Sequence, residues 1–125
     1  MEQNRIFGKR ILVVDDDSSA RESIALLLRI DRHVVTEAKN GREALEFVSR
    51  HTFDLVVLDF AMPGMLGGEV ALNIKRIVPA LPILMVSAYL EKLCDSDKPV
   101  NAVLGKPFAV DELRNAISKA LGGEG

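Results

Sequence analysis

The stretch Leu55-Val-Val-Leu-Asp59 joins four aliphatic residues directly to an acid. A continuous apolar run of this length is typical of a strand inside a parallel sheet, because helices cover both faces of such a sheet. Four other runs rich in Val, Ile and Leu have the same character: Ile11–Val14, His33–Thr36, Ile83–Val86 and Val100–Leu104. We therefore predict five buried strands, with Leu55–Leu58 as the third.

Apolar residues at helical spacing lie between or after these strands. Side chains that recur every three to four residues predict amphipathic helices. The four stripes are Ala20/Ile24/Leu27/Leu28, Ala44/Leu45/Val48, Val70/Ile74/Ile77/Val78 and Leu113/Ala116/Ile117/Ala120/Leu121. Ser19 and Glu22 have the spacing of a capping box, and Asn40 is the expected cap of the second helix. Residues 89–99 contain only two leucines that could form a stripe, so any fourth helix there should be short or degraded.

The alternation of strands and helices predicts an α/β fold with a parallel sheet. Right-handed βαβ crossovers place helices on both faces, which gives a small doubly wound fold. The length of 125 residues fits one domain. We expect residues 1–8 to be an N-terminal extension, 9–121 to be the folded domain and 122–125 to be a flexible tail or linker.

Composition excludes several classes of protein. The net charge of −2 gives no indication of binding to nucleic acid or to an anionic membrane. The longest apolar runs fall far short of the ~20 residues that span a bilayer. Met1–Arg10 is polar, unlike a secretory signal. Cys94 is the only cysteine, so no disulfide framework is expected and a reducing cytoplasm is the predicted location.

Polar residues follow the ends of four predicted strands. They are the acids Asp15, Asp16, Asp17 and Asp59, the hydroxyl residue Ser87 and the base Lys106. Ligand sites of doubly wound folds lie at the carboxyl ends of the strands, so these groups should converge. Crowded carboxylates repel one another, and a hard divalent cation removes that cost. Mg²⁺ suits such oxygen ligands, whereas the absence of His and Cys at these ends argues against zinc.

Four segments together resemble the receiver domain of bacterial response regulators of the chemotaxis-regulator type. They are Ile11-Leu-Val-Val-Asp-Asp-Asp17, Leu55-Val-Val-Leu-Asp-Phe-Ala-Met-Pro-Gly64, Met85-Val-Ser-Ala88 and Gly105-Lys-Pro-Phe108. Each motif alone is weak, but all four occur in order at the ends of the predicted strands. The resemblance runs from about Lys9 to Leu121. It implies a flavodoxin-like (βα)5 fold with strand order 2-1-3-4-5.

The resemblance implies a role for each residue of the phosphorylation site. Asp59 matches the aspartate that attacks the phosphorus of a phosphohistidine on a partner. Ser87 matches the switch hydroxyl that binds a phosphoryl oxygen, and Lys106 matches the lysine that pairs with the phosphoryl group. The Lys106–Pro107 peptide bond is cis in the family pattern.

A magnesium site is implied by the same resemblance, with Mn²⁺ as an expected substitute. Asp15 and Asp16 match the acidic pair that holds the ion, and Asp16 is favoured as the direct ligand. Asp59 is a further ligand, and the backbone carbonyl of Ala61 matches the third protein ligand. Asp17 is then expected to be a solvated acid at the start of its loop.

The expected partners follow from the family. They are a sensor histidine kinase or a phosphotransfer protein, with a dimer of receivers as a further option and with neither nucleic acid nor membrane as a ligand of this domain. Such a domain is a signalling switch and not an enzyme. Two positions depart from the family pattern: Val103 replaces the usual aromatic switch residue, and Ala109 replaces the usual polar cap of the last helix.

Two other functions remain open from the sequence. Asp15 followed by Asp17 loosely resembles the DxD signature of haloacid-dehalogenase-type phosphatases, with Asp15 as nucleophile and Asp17 as acid. That interpretation does not explain the segment that begins at Asp59. A receiver fold that is no longer phosphorylated, and that serves only as an interaction module, is the second alternative.

Overall fold

A computed structural model describes residues 8–60, 67–88 and 100–122 of the chain. The strands are β1 (Arg10–Val14), β2 (Val34–Ala38), β3 (Leu55–Asp59), β4 (Ile83–Ser87) and β5 (Ala102–Gly105). The helices of the described residues are α1 (Ser18–Ile30), α2 (Gly41–Arg50), α3 (Gly67–Ile77) and α4 (Val110–Ala120). Every predicted strand is present, although β2 begins at Val34 and β5 at Ala102, each slightly later than the sequence indicated.

All five strands are parallel and form one sheet in the order β2-β1-β3-β4-β5. The doubly wound fold and its strand order are therefore confirmed. Strand order reverses between β1 and β3, which is where folds of this kind bind their ligands. The predicted short fourth helix and the carbonyl of Ala61 lie outside the described residues.

The apolar core lies on both faces of the sheet. Along β1, Leu12 and Val14 join one buried cluster with side chains of α2 and α3. Ile11 and Val13 join the opposite cluster with side chains of α1 and α4. These four side chains are at most 1% exposed. Burial on both faces explains the continuous apolar run, and it fixes the position of the acids that follow the strand.

The start of α1 differs from the sequence prediction. Its N-cap is Asp17, whose Oδ1 accepts a hydrogen bond from the Ser19 backbone N–H at 3.0 Å. Ser19 is instead the second residue of the helix. The capping-box assignment was therefore wrong, and Asp17 is an exposed acid that also has a structural role. The cap starts the helix close to the acids that end β1.

The other two helix starts that were assessed from sequence agree better with the prediction. Asn40 caps α2, because its Oδ1 accepts from the Glu43 N–H at 2.8 Å. Ala109 occupies the N-cap of α4 and offers no side-chain acceptor. Glu112 compensates in part, because its Oε1 accepts from the Ala109 N–H at 2.8 Å. Among the helices that the structure describes, none is long and apolar enough to cross a membrane.

The cap of α1 can be tested by comparing three variants. Asp17→Asn keeps an acceptor oxygen and removes the charge, whereas Asp17→Ala removes both. We expect Asp17→Ala to lower the free energy of unfolding by about 0.5–2 kcal/mol relative to Asp17→Asn, measured by urea denaturation. Ser19→Ala should change it by less than about 0.5 kcal/mol. A larger loss in Ser19→Ala than in Asp17→Ala would contradict the assignment.

Candidate functional site

Three acids meet at the carboxyl ends of β1 and β3. Pairing between the two strands runs to Val14 and Leu58, so Asp15 and Asp59 are the next residues along their strands. One carboxylate oxygen from each of Asp15, Asp16 and Asp59 lies within 4.8 Å of the other two. Asp15 and Asp59 are 2% and 8% exposed, whereas Asp16 is open to solvent. The predicted acidic cluster therefore forms.

Lys106 enters this cluster from the end of β5. Its Nζ lies 3.2 Å from Asp59 Oδ1 and 3.4 Å from Asp15 Oδ2. Its backbone N–H donates to the Ser87 carbonyl at 2.8 Å, which extends the pairing of β4 with β5 by one step. The Lys106–Pro107 bond is cis, as the resemblance implied. The lysine that the sequence singled out is thus in direct contact with two of the acids.

Ser87 ends β4 and is 1% exposed. Because Asp59 pairs with Val86 and Gly105 pairs with Ser87, the serine lies between β3 and β5 at the same edge of the sheet. Six residues were predicted to form the phosphorylation and magnesium sites, and one of them, Ala61, lies outside the described residues. The structure brings the other five together at the carboxyl ends of the strands. They are Asp15, Asp16, Asp59, Ser87 and Lys106.

The site is electrostatically unfavourable for its own carboxylates. Burial raises the pKa of Asp59 to about 6, with a further increase from the Asp15 charge that Lys106 only partly offsets. Burial would lower the pKa of Lys106, but the charges of Asp59 and Asp15 outweigh it and raise that pKa overall. One ammonium group therefore does not balance the buried acids.

The donor set fits a hard divalent cation. Three carboxylates within 4.8 Å of one another provide the oxygen ligands that Mg²⁺ prefers, and solvent at Asp16 leaves room for water ligands. Asp15 Oδ1 accepts the Asp17 backbone N–H at 3.0 Å, which fixes the orientation of this carboxylate. A cation here would also stabilise the ionised form of Asp59, whose pKa is raised first by burial and then by the charge of Asp15.

Sequence reasoning missed a second polar group that touches the acidic cluster. Arg21 of α1 donates to the backbone carbonyl of Asp15 at 2.9 Å and pairs with Glu37 of β2 at 3.1 Å. The sequence contains a signal for the Arg21–Glu37 ion pair, but none for the bond to the Asp15 carbonyl. Glu37 is the only acid in its strand, and Arg21 lies in the helix that immediately precedes that strand.

A groove of about 540 Å³ opens beside Lys106, between α1 and the segment after β5. Its lining is mostly apolar and consists of Ala20, Ser23, Ile24, Leu27, Ala88, Lys106, Pro107 and Phe108. Lys106 belongs both to this groove and to the acidic cluster. A molecule bound in the groove would therefore touch Lys106, the residue whose ammonium group contacts Asp59.

The fold and the edge cluster together define a signalling domain of the receiver class. The family model described as the response regulator receiver domain matches residues 11–118. The chain belongs to this family, whose members are signalling domains of two-component systems.

Particular relatives support the same assignment. The chain is 40% identical over 115 residues to response regulator MprA of Mycobacterium leprae. The aligned region covers 90% of this chain and 50% of MprA. It is 32% identical over 119 residues to sporulation initiation phosphotransferase F of Bacillus subtilis. This alignment covers 93% of this chain and 96% of that protein. The chain therefore spans about half of MprA and nearly all of the second relative.

Solved structures show the same fold. Response regulator TrrA of Thermotoga maritima, crystallised in complex with Mg²⁺-BeF, superposes with a TM-score of 0.84 at 35% identity. The match covers 90% of this chain and 98% of TrrA. A CheY-like receiver domain from Methanospirillum hungatei has the same TM-score at 26% identity, covering 92% of this chain and 94% of that one.

The raised pKa of Asp59 predicts a pH-dependent cost to stability. The pKa is about 6 in the folded protein against a reference value of 3.8, so the folded state holds an extra proton between these values. Stability therefore falls as pH rises through this window, and the penalty is complete above it. We expect Asp59→Asn to raise the free energy of unfolding by about 1–3 kcal/mol near pH 7.5 without metal.

The measurement is urea denaturation in EDTA at about pH 7.5 and about pH 4. At the lower pH, the stabilisation by Asp59→Asn should almost vanish. Glu46→Gln, a matched change at an exposed acid of α2, should alter stability by less than about 0.5 kcal/mol at both pH values. If Asp59→Asn is no more stable than the wild type at the higher pH, the electrostatic account of the site is wrong.

Proposed function

We propose that this receiver domain accepts a phosphoryl group on Asp59 and changes its surface in response. The contact that carries the proposal is the 3.2 Å approach of Lys106 Nζ to the Asp59 carboxylate, beside the other two acids. In the reaction, an Asp59 oxygen attacks phosphorus, the new O–P bond forms as the P–N bond of a phosphohistidine breaks, and the histidine leaves.

Each residue of the site has a task in this reaction. Lys106 pairs with the phosphoryl oxygens and, together with the divalent cation, balances their added charge of about −1.5 to −2. Ser87 donates its hydroxyl hydrogen bond to another phosphoryl oxygen. Asp15, Asp16 and Asp59 hold the divalent cation, with the Ala61 carbonyl as a further ligand on the family pattern. When bound, Mg²⁺, or Mn²⁺ in its place, neutralises charge on the transferred group.

The response to phosphorylation cannot use an aromatic switch at the usual position of β5. That position is Val103, a small side chain that is 42% exposed. We propose instead that new bonds from Ser87 and Lys106 draw their loops toward the phosphoryl group. A full change from 1:99 to 99:1 requires about 5.5 kcal/mol of differential stabilisation. A few charge-assisted bonds, each about 1.5–3 kcal/mol, are enough.

A histidine kinase or a phosphotransfer protein is the proposed donor, and the groove beside Lys106 is its proposed docking place. The apolar lining from α1 suits a helix of the partner, and Lys106 connects the groove to Asp59. A cytoplasmic location belongs to the same proposal, because histidine kinases are phosphorylated at the expense of ATP, which is found in the cytoplasm. The proposed boundaries of the domain remain residues 9–121, with 1–8 and 122–125 as extensions.

The two alternative functions have less support. In a phosphatase of the DxD type, Asp17 would be the general acid, but its carboxylate caps α1 instead. Asp15 would be the nucleophile, yet its two oxygens contact Lys106 and the Asp17 N–H. A receiver that is never phosphorylated has no need for buried acids in contact with a lysine. We therefore propose a phosphorylated switch without enzymatic turnover.

Phosphorylation is tested with acetyl phosphate and Mg²⁺, followed by intact-protein mass spectrometry. We expect one phosphoryl group per wild-type chain, none in Asp59→Asn and none in EDTA, because both the nucleophile and charge neutralisation are needed. Glu46→Gln should incorporate as much as the wild type. Absence of incorporation in the wild type, or undiminished incorporation in Asp59→Asn, would refute the proposal. Continuous release of inorganic phosphate over many cycles would instead favour the phosphatase.

The docking groove is tested with two substitutions on α1. Ser23→Arg places a long cation in the groove, whereas Leu26→Arg places it at a residue outside the groove that is 60% exposed. Purified autophosphorylated histidine kinases are screened, and the fastest donor is used. We expect Ser23→Arg to slow transfer from this donor by about tenfold or more, equivalent to about 1.4 kcal/mol. Leu26→Arg should not slow transfer from the kinase, and neither variant should slow phosphorylation by acetyl phosphate. Equal effects of the two variants would exclude the groove.

A further inference from the structure

Arg21 connects the acidic cluster to β2, the outermost strand on that side of the sheet. Its Nη1 donates to the Asp15 backbone carbonyl at 2.9 Å, and its Nε donates to Glu37 Oε1 at 3.1 Å. The Arg21 side chain is only 15% exposed. The guanidinium has a fixed planar shape, so these two bonds define its orientation.

The carbonyl that Arg21 binds belongs to the peptide bond between Asp15 and Asp16. The atoms of a peptide bond share one plane, so fixing this carbonyl also fixes the backbone N–H of Asp16. The last registered pair of β1 and β2 is Val14 with Ala38, and the Asp15 N–H then donates to the Ala38 carbonyl. The Asp15 carbonyl lies beyond these registered pairs, and Arg21 supplies its donor.

Asp16 most needs such support. Asp15 is buried and its carboxylate is fixed by the Asp17 N–H and by Lys106. The Asp16 side chain is exposed, so its direction depends on the backbone that carries it. Ligand atoms must be held within a fraction of an ångström to bind a cation well. The bond from Arg21 therefore acts on the ligand with the least packing around it.

Glu37 orients Arg21 and also pairs with a second arginine. Arg29 Nη1 lies 3.4 Å from Glu37 Oε2, and Arg29 Nη2 donates to the Val35 carbonyl of β2 at 3.2 Å. Arg29 thus has the same charge, the same acidic partner and a similar bond to a backbone carbonyl. Its carbonyl partner, however, lies on β2 and not in the acidic cluster. The molecule therefore contains a matched control for Arg21.

We propose that Arg21, oriented by Glu37, is a positioning residue for the Asp15–Asp16 pair and so sets the affinity of the site for a divalent cation. The inference rests on the proposed function only where it concerns phosphorylation, because cation binding can be measured by itself. Groups that hold metal ligands in place typically change metal affinity by about 10- to 100-fold when they are removed.

The test measures the Mg²⁺ dissociation constant of the full chain by isothermal titration calorimetry after EDTA treatment. Arg21→Met should weaken Mg²⁺ binding about tenfold. Arg29→Met, which removes the same charge beside Glu37, should change it by less than about twofold. Removing a cation should by itself strengthen Mg²⁺ binding. A weakened affinity in Arg21→Met is thus the opposite of a simple charge effect.

The role of Glu37 is tested in a double-mutant cycle. Glu37→Ala should weaken Mg²⁺ binding in the wild-type background, because Arg21 loses its orienting partner. Its effect should be clearly smaller in the Arg21→Met background, because only the loss of its negative charge then acts on the cation. Additive effects of the two substitutions would show that Glu37 does not act through Arg21.

Phosphorylation by acetyl phosphate gives a second readout. In Arg21→Met, the Mg²⁺ concentration for half-maximal phosphorylation should rise about tenfold, in line with the calorimetry, while the rate at saturating Mg²⁺ is kept. A merely structural role would lower thermal stability in Arg21→Met, and less in Arg29→Met because that arginine is half-exposed, and would leave the Mg²⁺ affinity unchanged. That result would overturn the inference.

The outcomes separate this inference from the proposed function. If the wild type binds Mg²⁺ and takes no phosphoryl group, the proposed function fails and the calorimetry still decides the role of Arg21. If phosphorylation occurs and Arg21→Met binds Mg²⁺ normally, only this inference fails. If Arg21→Met does not fold, Arg21→Lys carries the test, because lysine keeps the charge and loses the planar pair of donors: weakened affinity supports the inference and unchanged affinity overturns it.

Discussion

The contact between Lys106 and the two buried acids Asp59 and Asp15 is the interaction on which the rest of the site depends. Without the ammonium group, the two carboxylates would repel each other at an edge of the sheet where little water can screen them. With it, burial and the charge of Asp15 still raise the pKa of Asp59 to about 6, so the ionised carboxylate remains unfavourable. A divalent cation would stabilise that ionised form, and in the proposed function it would also neutralise charge on the phosphoryl group.

The fold makes such a site possible by burying β1 and β3 on both faces. Neither strand can shift its register without moving apolar side chains out of a packed core, so the acids at their ends are held in fixed positions. Loops alone would let the carboxylates move apart and reduce their repulsion. The stability of the core thus maintains an unfavourable arrangement at the site, as is common where chemistry is done.

Much of this arrangement could be predicted from the sequence, and the reason is the length of its apolar runs. Runs such as Leu55–Leu58 are too continuous for a half-exposed strand, and a parallel sheet puts their following residues at one edge. The start of α1 was predicted wrongly because Asp17 and Ser19 are both good caps, and only the backbone path chooses between them. The bond from Arg21 to Asp15 was missed because side-chain bonds to backbone carbonyls leave no spacing rule in a sequence.

A crystal structure of the domain grown with Mg²⁺ and beryllofluoride tests the central claim most directly. We expect beryllofluoride on a carboxylate oxygen of Asp59, with the Lys106 ammonium and the Ser87 hydroxyl on its fluorine atoms. We also expect a magnesium ion among Asp15, Asp16 and Asp59. Beryllofluoride bound elsewhere, or an Asp59 carboxylate turned away from Lys106 with no metal beside it, would contradict the account.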